Sequence, residues 1–186
     1  MITKPLDLAS AADLAADIMS AAFGLTPAEE LQRRDIFAEH ARHPGLIARG
    51  AFDGSRLVGF CYGFPAGDRS WWERQVHTRL AAVGAASWLS ADTLELTELH
   101  VHPDHQGHGL GRTLITEVCD ASPAARVLLS VRVESTAARH LYATLGFTEL
   151  TTPFLFGGIP PRYLLMGAHQ PLHRRTAHPA TRGDNP

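Results

Sequence analysis

A glycine-rich segment in the second half of the chain has the composition of a turn that binds phosphate. Gln106-Gly107-His108-Gly109-Leu110-Gly111 lies between a predicted strand and a predicted helix, and Arg112 adds a positive charge at the start of that helix. Glycine permits close backbone approach and positive φ, while the free amides and the dipole of a helix N-terminus attract an anion. The segment therefore predicts a pyrophosphate site. A turn with a purely structural role is the alternative.

The strand before this turn changes phase midway along its length. Leu94 and Leu96 alternate on one parity, whereas Leu99 and Val101 alternate on the other. One extra residue near Thr97-Glu98 would place all four apolar side chains on one face, which is what a β-bulge does. A strand buried on both faces is the alternative.

The elements that would position these residues alternate between helices and strands. Ser10-Ala-Ala-Asp13 and Thr26-Pro27-Ala28-Glu29 each resemble the start of a helix, with a hydroxyl cap and an acidic residue three positions later. A hairpin follows over 46–64, turning at Asp53-Gly54. Residues 68–92 form a long connection that contains Trp71, Trp72 and a predicted helix, and connections of this length often have a function.

The second half of the chain continues with a helix from Leu110, a strand over 127–133 and a helix that Ser135 caps and Gly146 ends. Residues 147–150 and 163–166 are candidate closing strands. From residue 169 to residue 186 the chain is polar and rich in proline, so we expect a disordered tail after a single domain of residues 1–168.

Composition and charge restrict the classes of partner. The 186 residues carry a formal charge of −2, with Lys4 as the only lysine, so neither nucleic acid nor an anionic membrane is an expected partner. No apolar run approaches the roughly 18 residues of a membrane span, and no signal-peptide pattern is visible. Cys61 and Cys119 are read as buried thiols in a reducing compartment, which predicts a cytoplasmic location.

Two segments together resemble a known family. Pro103-Asp-His-Gln-Gly-His-Gly-Leu-Gly-Arg112 looks like the coenzyme A signature (Q/R)-x-x-G-x-(G/A) of the Gcn5-related N-acetyltransferase (GNAT) superfamily. Ala138-Arg-His-Leu-Tyr142-Ala-Thr-Leu-Gly146-Phe147 is similar to the family's second motif, A-x-x-L-Y-x-x-x-G-F. The order and types of element fit from about residue 5 to residue 168.

The resemblance implies a mixed α/β fold. Its central sheet would be mostly antiparallel, with about six or seven strands, a bulged fourth strand that splays from the fifth, and helices on both faces. It also implies acetyl-CoA as co-substrate and no metal. Many members carry asparagine three residues before the alanine of the second motif, where this chain has Ser135, whose hydroxyl could supply the same hydrogen bond. The implied coenzyme-binding residues are Leu99, Val101, Gln106, Gly107, His108, Gly109, Leu110, Gly111, Arg112 and Ser135.

The implied reaction is direct transfer of an acetyl group from acetyl-CoA to an amine of a small molecule or peptide. An amine with a pKa of about 10 is mostly protonated at neutral pH, so a base or a water relay must remove a proton. Glu98 is the first candidate for this base, and Glu95, a histidine or water are the others. A strand amide near Leu99 would stabilise the oxyanion, and Tyr142 resembles the family's general acid.

Two other functions are weighed against acetyl transfer. A coenzyme A-binding regulatory module would share the fold without catalysis. A zinc hydrolase is suggested by His100-x-His102-x-Asp104-His105, because imidazoles and a carboxylate at this spacing can hold zinc. That fold needs a longer chain and further ligands, however, and it leaves residues 138–147 unexplained. The expected partner is thus an amine-bearing acceptor of unknown identity, and a homodimer is left open.

Overall fold

The sheet is bounded by short strands at both edges. The computed structural model describes residues 1–67 and 71–172, so the expectation for residues 173–186 lies outside the described part of the chain. The strands are β1 (Ile2–Pro5), β2 (Ile47–Asp53), β3 (Arg56–Pro65), β4 (Thr93–Val101), β5 (Arg126–Arg132), β6 (Thr148–Glu149), β7 (Phe154–Leu155) and β8 (Arg162–His169). The helices are α1 (Ala12–Phe23), α2 (Pro27–His40), α3 (Trp71–Ala82), α4 (Leu110–Asp120) and α5 (Thr136–Thr144).

The strand order is β1-β2-β3-β4-β5-β8-β6, and β7 pairs with β8 beside β6. All pairs are antiparallel except β4 with β5. This arrangement confirms the predicted mixed α/β fold with a mostly antiparallel sheet. The described residues form eight strands, whereas six or seven were expected. The edge strand β1 and the two-residue β7 are too short to show a periodic pattern in the sequence.

Helices cover both faces of the sheet, as predicted. Apolar side chains of α4 and α5, among them Leu114 and Leu145, pack on one face in a cluster with residues such as Val127 and Leu129. On the opposite face, α1 and α2 pack against the aromatic residues of β3, including Phe60 and Tyr62. The helix α3 covers the same face further along, against Leu128 and Leu165. Helices α1–α3 therefore lie on one side and α4–α5 on the other.

The two expected helix starts behave differently. Thr26 and Glu29 form the predicted reciprocal capping box at α2. The expected capping box at Ser10 is wrong, because α1 begins one residue later with Ala11 at the cap position and no side-chain cap bond. Instead, Asp7 accepts hydrogen bonds from the backbone N–H of Ala9 and from the Ser10 hydroxyl, which organises the turn before the helix.

The predicted bulge in β4 is confirmed. Tyr62 lies opposite Glu98 and Gly63 lies opposite Leu96, so Thr97 is the extra residue. As a result, Leu94, Leu96, Leu99 and Val101 all lie on the α4 side of the sheet. A side chain at position 63 would collide with this backbone, since a Cβ there would sit 2.4 Å from the carbonyl oxygen of Glu95.

The described chain extends a few residues beyond the expected domain boundary. The strand β8 runs to His169, and the backbone N–H of Gln170 donates to the carbonyl oxygen of Ala125 at 2.8 Å. Leu172 is buried in the α4-side core. Residues 169–172 thus pack on the domain, because an apolar side chain follows the last strand within reach of the core.

At the opposite edge of the sheet, Lys4 on β1 places its ammonium nitrogen 4.2 Å from the centre of the Phe52 ring. A cation over an aromatic face is held by the quadrupole of the ring.

Within residues 1–67 and 71–172, the structure contains no helix with the length and apolar character needed to cross a bilayer.

Gly63→Ala should destabilise the protein by about 1–3 kcal/mol, because the new methyl group forces the bulged backbone to move. Gly59→Ala in the same strand is the matched control: its Cβ would lie 3.1 Å from the carbonyl oxygen of His100, a tight contact that a small shift relieves. Thermal unfolding of both variants measures the difference. Equal losses of melting temperature would contradict the role assigned to the bulge.

Candidate active site

The strands β4 and β5 pair over only three residues each. Thr93–Glu95 align with residues 126–128, and beyond this point the two parallel strands diverge. A cleft of about 820 Å³ opens where they part, bordered also by α1, α2, α3 and α5. Of the predicted site residues, the structure brings Glu98, Leu99, Ser135 and Tyr142 together along this cleft.

The backbone of Leu99 faces the gap between the strands. His102 donates its N–H to the carbonyl oxygen of Val58 at 2.8 Å, and hydrogen-bonded pairs alternate with other pairs along an antiparallel ladder. The Cys61–Leu99 pair is therefore one that exchanges no hydrogen bonds, and the N–H and C=O of Leu99 point away from β3. Val101 has the same orientation. A ligand in the gap can thus pair with the open edge of β4.

The glycine-rich turn lies outside the cleft, between the end of β4 and the start of α4. Gly107 and Gly109 both have positive φ, at 78° and 79°, and Gly109 is the cap residue of α4. A Cβ added at either position would meet no protein atom within 4 Å. The first amides of α4 have no acceptor within the helix. The turn therefore presents open backbone donors at a positive helix end, as a phosphate site requires.

Two polar side chains of this turn contact the protein itself. Gln106 donates from its side-chain nitrogen to the carbonyl oxygen of Val101 at 2.9 Å, which closes the loop on the end of β4. Arg112 donates to the hydroxyl of Thr144 at the end of α5. Gly111 lets the two helices approach, because a Cβ there would lie 3.3 Å from a methyl carbon of Leu141. Gln106, Gly111 and Arg112 therefore fix the position of the turn relative to β4 and α5.

Glu98 occupies the residue after the bulge, on the face of the sheet that carries α1 and α2. Its carboxylate lies 2.6 Å from the Nε2 atom of His100 and 3.8 Å from the guanidinium of Arg33. Burial raises the pKa of Glu98, but the hydrogen bond to His100 and the positive charges nearby outweigh burial, so the net pKa lies below its usual value. Glu98 is therefore ionised at neutral pH. His100 itself is buried between Phe23 and Phe60.

The helix α2 supplies part of the cleft that the sequence analysis did not identify. Arg33, Ile36 and His40 line it, at spacings of three and four residues that place them on one helix face, and His43 lines it from the turn that follows. His40 lies 2.8 Å from the Tyr62 hydroxyl through its Nδ1 atom. Burial lowers the pKa of His40, which favours the neutral imidazole. The spacing of Arg33 and His40 on one face of α2 could have indicated this wall of the cleft in the sequence. Solvent-exposed helix faces carry polar residues at the same spacing, however.

Tyr142 and Ser135 approach the cleft from α5. Tyr142 is only 8% exposed, and burial raises the pKa of its hydroxyl, so the phenol is protonated at neutral pH. Within the described chain, the hydroxyl has no hydrogen-bond partner. Ser135 stands at the cap position of α5 as predicted, yet its side chain makes no cap bond and lines the cleft instead. Both hydroxyls are thus available to a ligand.

The connection with the two tryptophans forms another wall of the cleft. Trp71 and Trp72 start α3, and Trp72 donates its indole N–H to the hydroxyl of Ser130 on β5 at 3.2 Å. The Trp71 ring lies 5.5 Å from the ring of Phe156. Glu95, the second candidate for the base, is buried and faces the same cleft.

The histidines of the zinc-like motif point to different surroundings. His100 faces Glu98, whereas His102 lies 3.6 Å from Asp104 and His105 lies 3.7 Å from Asp53. Within residues 1–67 and 71–172, no group of three or more histidine, cysteine, aspartate or glutamate side chains is arranged to hold a metal ion.

Comparisons with known proteins agree with the fold. The family model described as the Acetyltransferase (GNAT) family matches residues 9–147. The GCN5-like protein acetyltransferase Rv2170 of Mycobacterium tuberculosis is 32% identical over an alignment of 159 residues that covers 82% of this chain and 74% of that protein.

Two solved structures show the same fold at low sequence identity. The ribosomal-protein-S18-alanine N-acetyltransferase from Escherichia coli has a TM-score of 0.62 at 18% identity, covering 95% of this chain and 98% of its own. PaiA N-acetyltransferase from Thermoplasma acidophilum, solved in complex with coenzyme A, has a TM-score of 0.59 at 15% identity, covering 91% and 99%.

This chain belongs to the GNAT acetyltransferase family. It is accordingly an N-acetyltransferase, and its co-substrate is acetyl-CoA, as the sequence predicted. Neither the regulatory module nor the zinc hydrolase is supported, because the match to an acetyltransferase family includes both the glycine-rich turn and residues 138–147.

Gly109→Leu should weaken coenzyme A binding at least tenfold, or about 1.4 kcal/mol, because its side chain projects into the open space where the pyrophosphate would approach. Gly54→Leu, at a hairpin turn with a φ of 58° and equally open surroundings, is the control for backbone strain. Calorimetric titration of both folded variants compares the affinities. Unchanged coenzyme affinity in Gly109→Leu would refute the site.

Proposed function

We propose that acetyl-CoA enters the gap between β4 and β5 with its pyrophosphate at the glycine-rich turn. The observation that carries this proposal is the parting of the two strands after Glu95, which turns the backbone of Leu99 toward the gap. The pantetheine arm would pair with Leu99 and Val101, as an added strand does. The hydroxyl of Ser135 is close enough to the cleft to bind the same arm.

The proposed proton acceptor is the Glu98–His100 pair. A carboxylate with a lowered pKa is a weak base when it acts alone, but its charge attracts an ammonium group and its 2.6 Å hydrogen bond to His100 lets the two share a proton. The pair would take one proton from the acceptor ammonium and release it to solvent. The resulting neutral amine would then attack the thioester carbonyl carbon.

Attack places negative charge on the carbonyl oxygen, and the N–H of Leu99, which points into the gap, is the proposed donor to it. When the carbon–sulfur bond breaks, the thiolate needs a proton. We assign that proton to the Tyr142 hydroxyl, which then recovers one from the nitrogen of the new amide. The products are the N-acetylated acceptor and coenzyme A, with one proton released overall from the ammonium form.

All residues assigned to the reaction belong to one chain, so the proposed chemistry requires no second copy. The homodimer and the cytoplasmic location remain predictions. A reducing compartment suits the two buried thiols, since burial raises the pKa of both Cys61 and Cys119 and keeps them protonated. The acceptor is proposed to be an amine of a small molecule or peptide.

Glu98→Gln should lower kcat/KM for the acceptor about 10²–10⁴-fold at neutral pH. Activity should recover partly as the pH approaches about 10, where about half of the amine is already neutral. In the wild type the pKa of Glu98 is lowered. Protonation of Glu98 should therefore not reduce activity until the pH falls below the ordinary pKa of a glutamate, about 4.3. The pH profiles of kcat/KM provide the measurement.

Glu95→Gln is the matched comparison, since it removes another carboxylate from the same cleft. A larger loss in Glu95→Gln than in Glu98→Gln would move the base to Glu95. A wild-type profile in Glu98→Gln would leave the role to a histidine or to water.

Tyr142→Phe should keep the fold, because the ring is retained, and should lower kcat at least tenfold while the affinity for coenzyme A changes far less. The reason is loss of the proton that the thiolate needs. Tyr163→Phe, which removes a hydroxyl from another wall of the cleft, is the control. If folded Tyr142→Phe turns over at the wild-type rate, then water or the acceptor protonates the thiolate.

A further inference from the structure

Arg132 is a cation in the cleft without an anionic partner. It lies at the end of β5, and strand alternation places it on the same face as Leu128, which packs under α3. It is half-buried and lines the cleft. Among residues 1–67 and 71–172, no carboxylate forms an ion pair with it. A cation that loses part of its hydration gains from a nearby anion, and none is supplied by the described chain.

The other two arginines of the cleft are accounted for. Arg33 lies on the opposite wall and pairs with Glu98. Arg42 is exposed just after α2, where water solvates it. The pyrophosphate does not supply the anion for Arg132, because the proposed phosphate turn begins α4, which packs on the other face of the sheet. Since the described residues offer Arg132 no anion, a bound acceptor is the partner considered for it.

Ring contacts connect Arg132 with the proposed base. Its guanidinium carbon lies 4.7 Å from the centre of the Phe23 ring, and Phe23 contacts the ring of His100 at 5.6 Å. His100 in turn bonds Glu98. The anionic and cationic sites thus flank Phe23 and His100 in one cleft. Both charged side chains line this cleft, so a molecule with an amine and a carboxylate would find an opposite charge there for each.

The aromatic wall beside Arg132 suits an apolar group. Trp71 is 56% exposed although its ring contacts Phe156, which contacts Tyr163 at 4.9 Å. Trp72 is bonded to Ser130, two positions before Arg132 on the same strand face. Because exposed aromatic area is favourable to bury, a ligand side chain of aromatic or aliphatic character would gain from this wall.

We infer that the acceptor is a free amino acid with a large apolar side chain, whose amine faces Glu98, whose carboxylate binds Arg132 and whose side chain packs on Trp71 and Phe156. The inference rests on the proposed function and specifies its acceptor. The N-terminal residue of a protein also has an α-amine, but it carries a neutral amide where a free amino acid carries a carboxylate.

The test compares matched acceptors by the release of coenzyme A thiol. Wild-type kcat/KM should be at least tenfold higher for phenylalanine than for phenylalaninamide, since a charge-assisted hydrogen bond to arginine is lost in the amide. The amine of phenylalaninamide is less basic, so a larger fraction of it is neutral and reactive at neutral pH. This difference alone would favour phenylalaninamide, so a preference for phenylalanine cannot come from amine basicity. Phenylalanine should also exceed alanine.

The ratio of kcat/KM for phenylalanine over phenylalaninamide should fall at least tenfold in Arg132→Gln and should be partly retained in Arg132→Lys, which keeps the charge. Arg56→Gln, on the β2–β3 hairpin far from the cleft, should keep the wild-type ratio. Trp71→Ala should lower the preference for phenylalanine over alanine, again by about tenfold, through loss of apolar contact.

Two outcomes overturn the inference while leaving the proposed function intact. One is equal or better turnover of phenylalaninamide or a peptide by the wild type, and the other is a ratio that survives in Arg132→Gln. The proposed function fails separately if wild type binds acetyl-CoA but releases no thiol with any acceptor in a panel of amino acids, amides, peptides and polyamines.

Discussion

From Leu96 onward the backbone of β4 has no strand on its β5 side, and this unpaired edge is the constraint on which the cleft depends. Buried backbone donors and acceptors require partners, and a sheet that parts in its centre leaves the N–H and C=O of Leu99 without a strand to pair with. The bulge at Thr97 and the glycine opposite it let β4 bend away while its apolar side chains stay in the core. The open edge is then the natural place for an extended ligand, and the proposed catalytic groups are the residues that border it.

The two faces of the sheet carry different chemical groups. On the α4 side, the glycine-rich turn and the start of a helix offer backbone donors, so this side suits the charged end of the coenzyme. On the other side, Glu98, His100 and Arg132 lie among aromatic rings, so that side suits an amine and the groups attached to it. The gap between β4 and β5 connects the two sides, and it is where the proposed mechanism brings the reacting atoms together.

The sequence predicted the parts of the molecule that depend on local pattern. The phase change in β4 located the bulge, the glycines located the turn, and the second motif located Tyr142 on a helix. The cap of α1 was missed because Asp7 competes for the same turn. Arg33, His40 and Arg132 were missed because their role depends on distant elements meeting across the cleft. Periodicity within one element carries no information about such contacts.

The chain keeps almost no primary amine of its own near this chemistry. Its single lysine, Lys4, sits on the outermost strand β1, three strands away from β4, with its ammonium held over an aromatic ring. Arginine carries the remaining positive charge, and a guanidinium stays protonated where an amine can lose its proton and react. A protein that handles an acetyl donor thereby offers it few side-chain amines. Acetylation of side-chain amines could change the formal charge of the chain by one unit, at a position on the edge of the sheet far from the cleft.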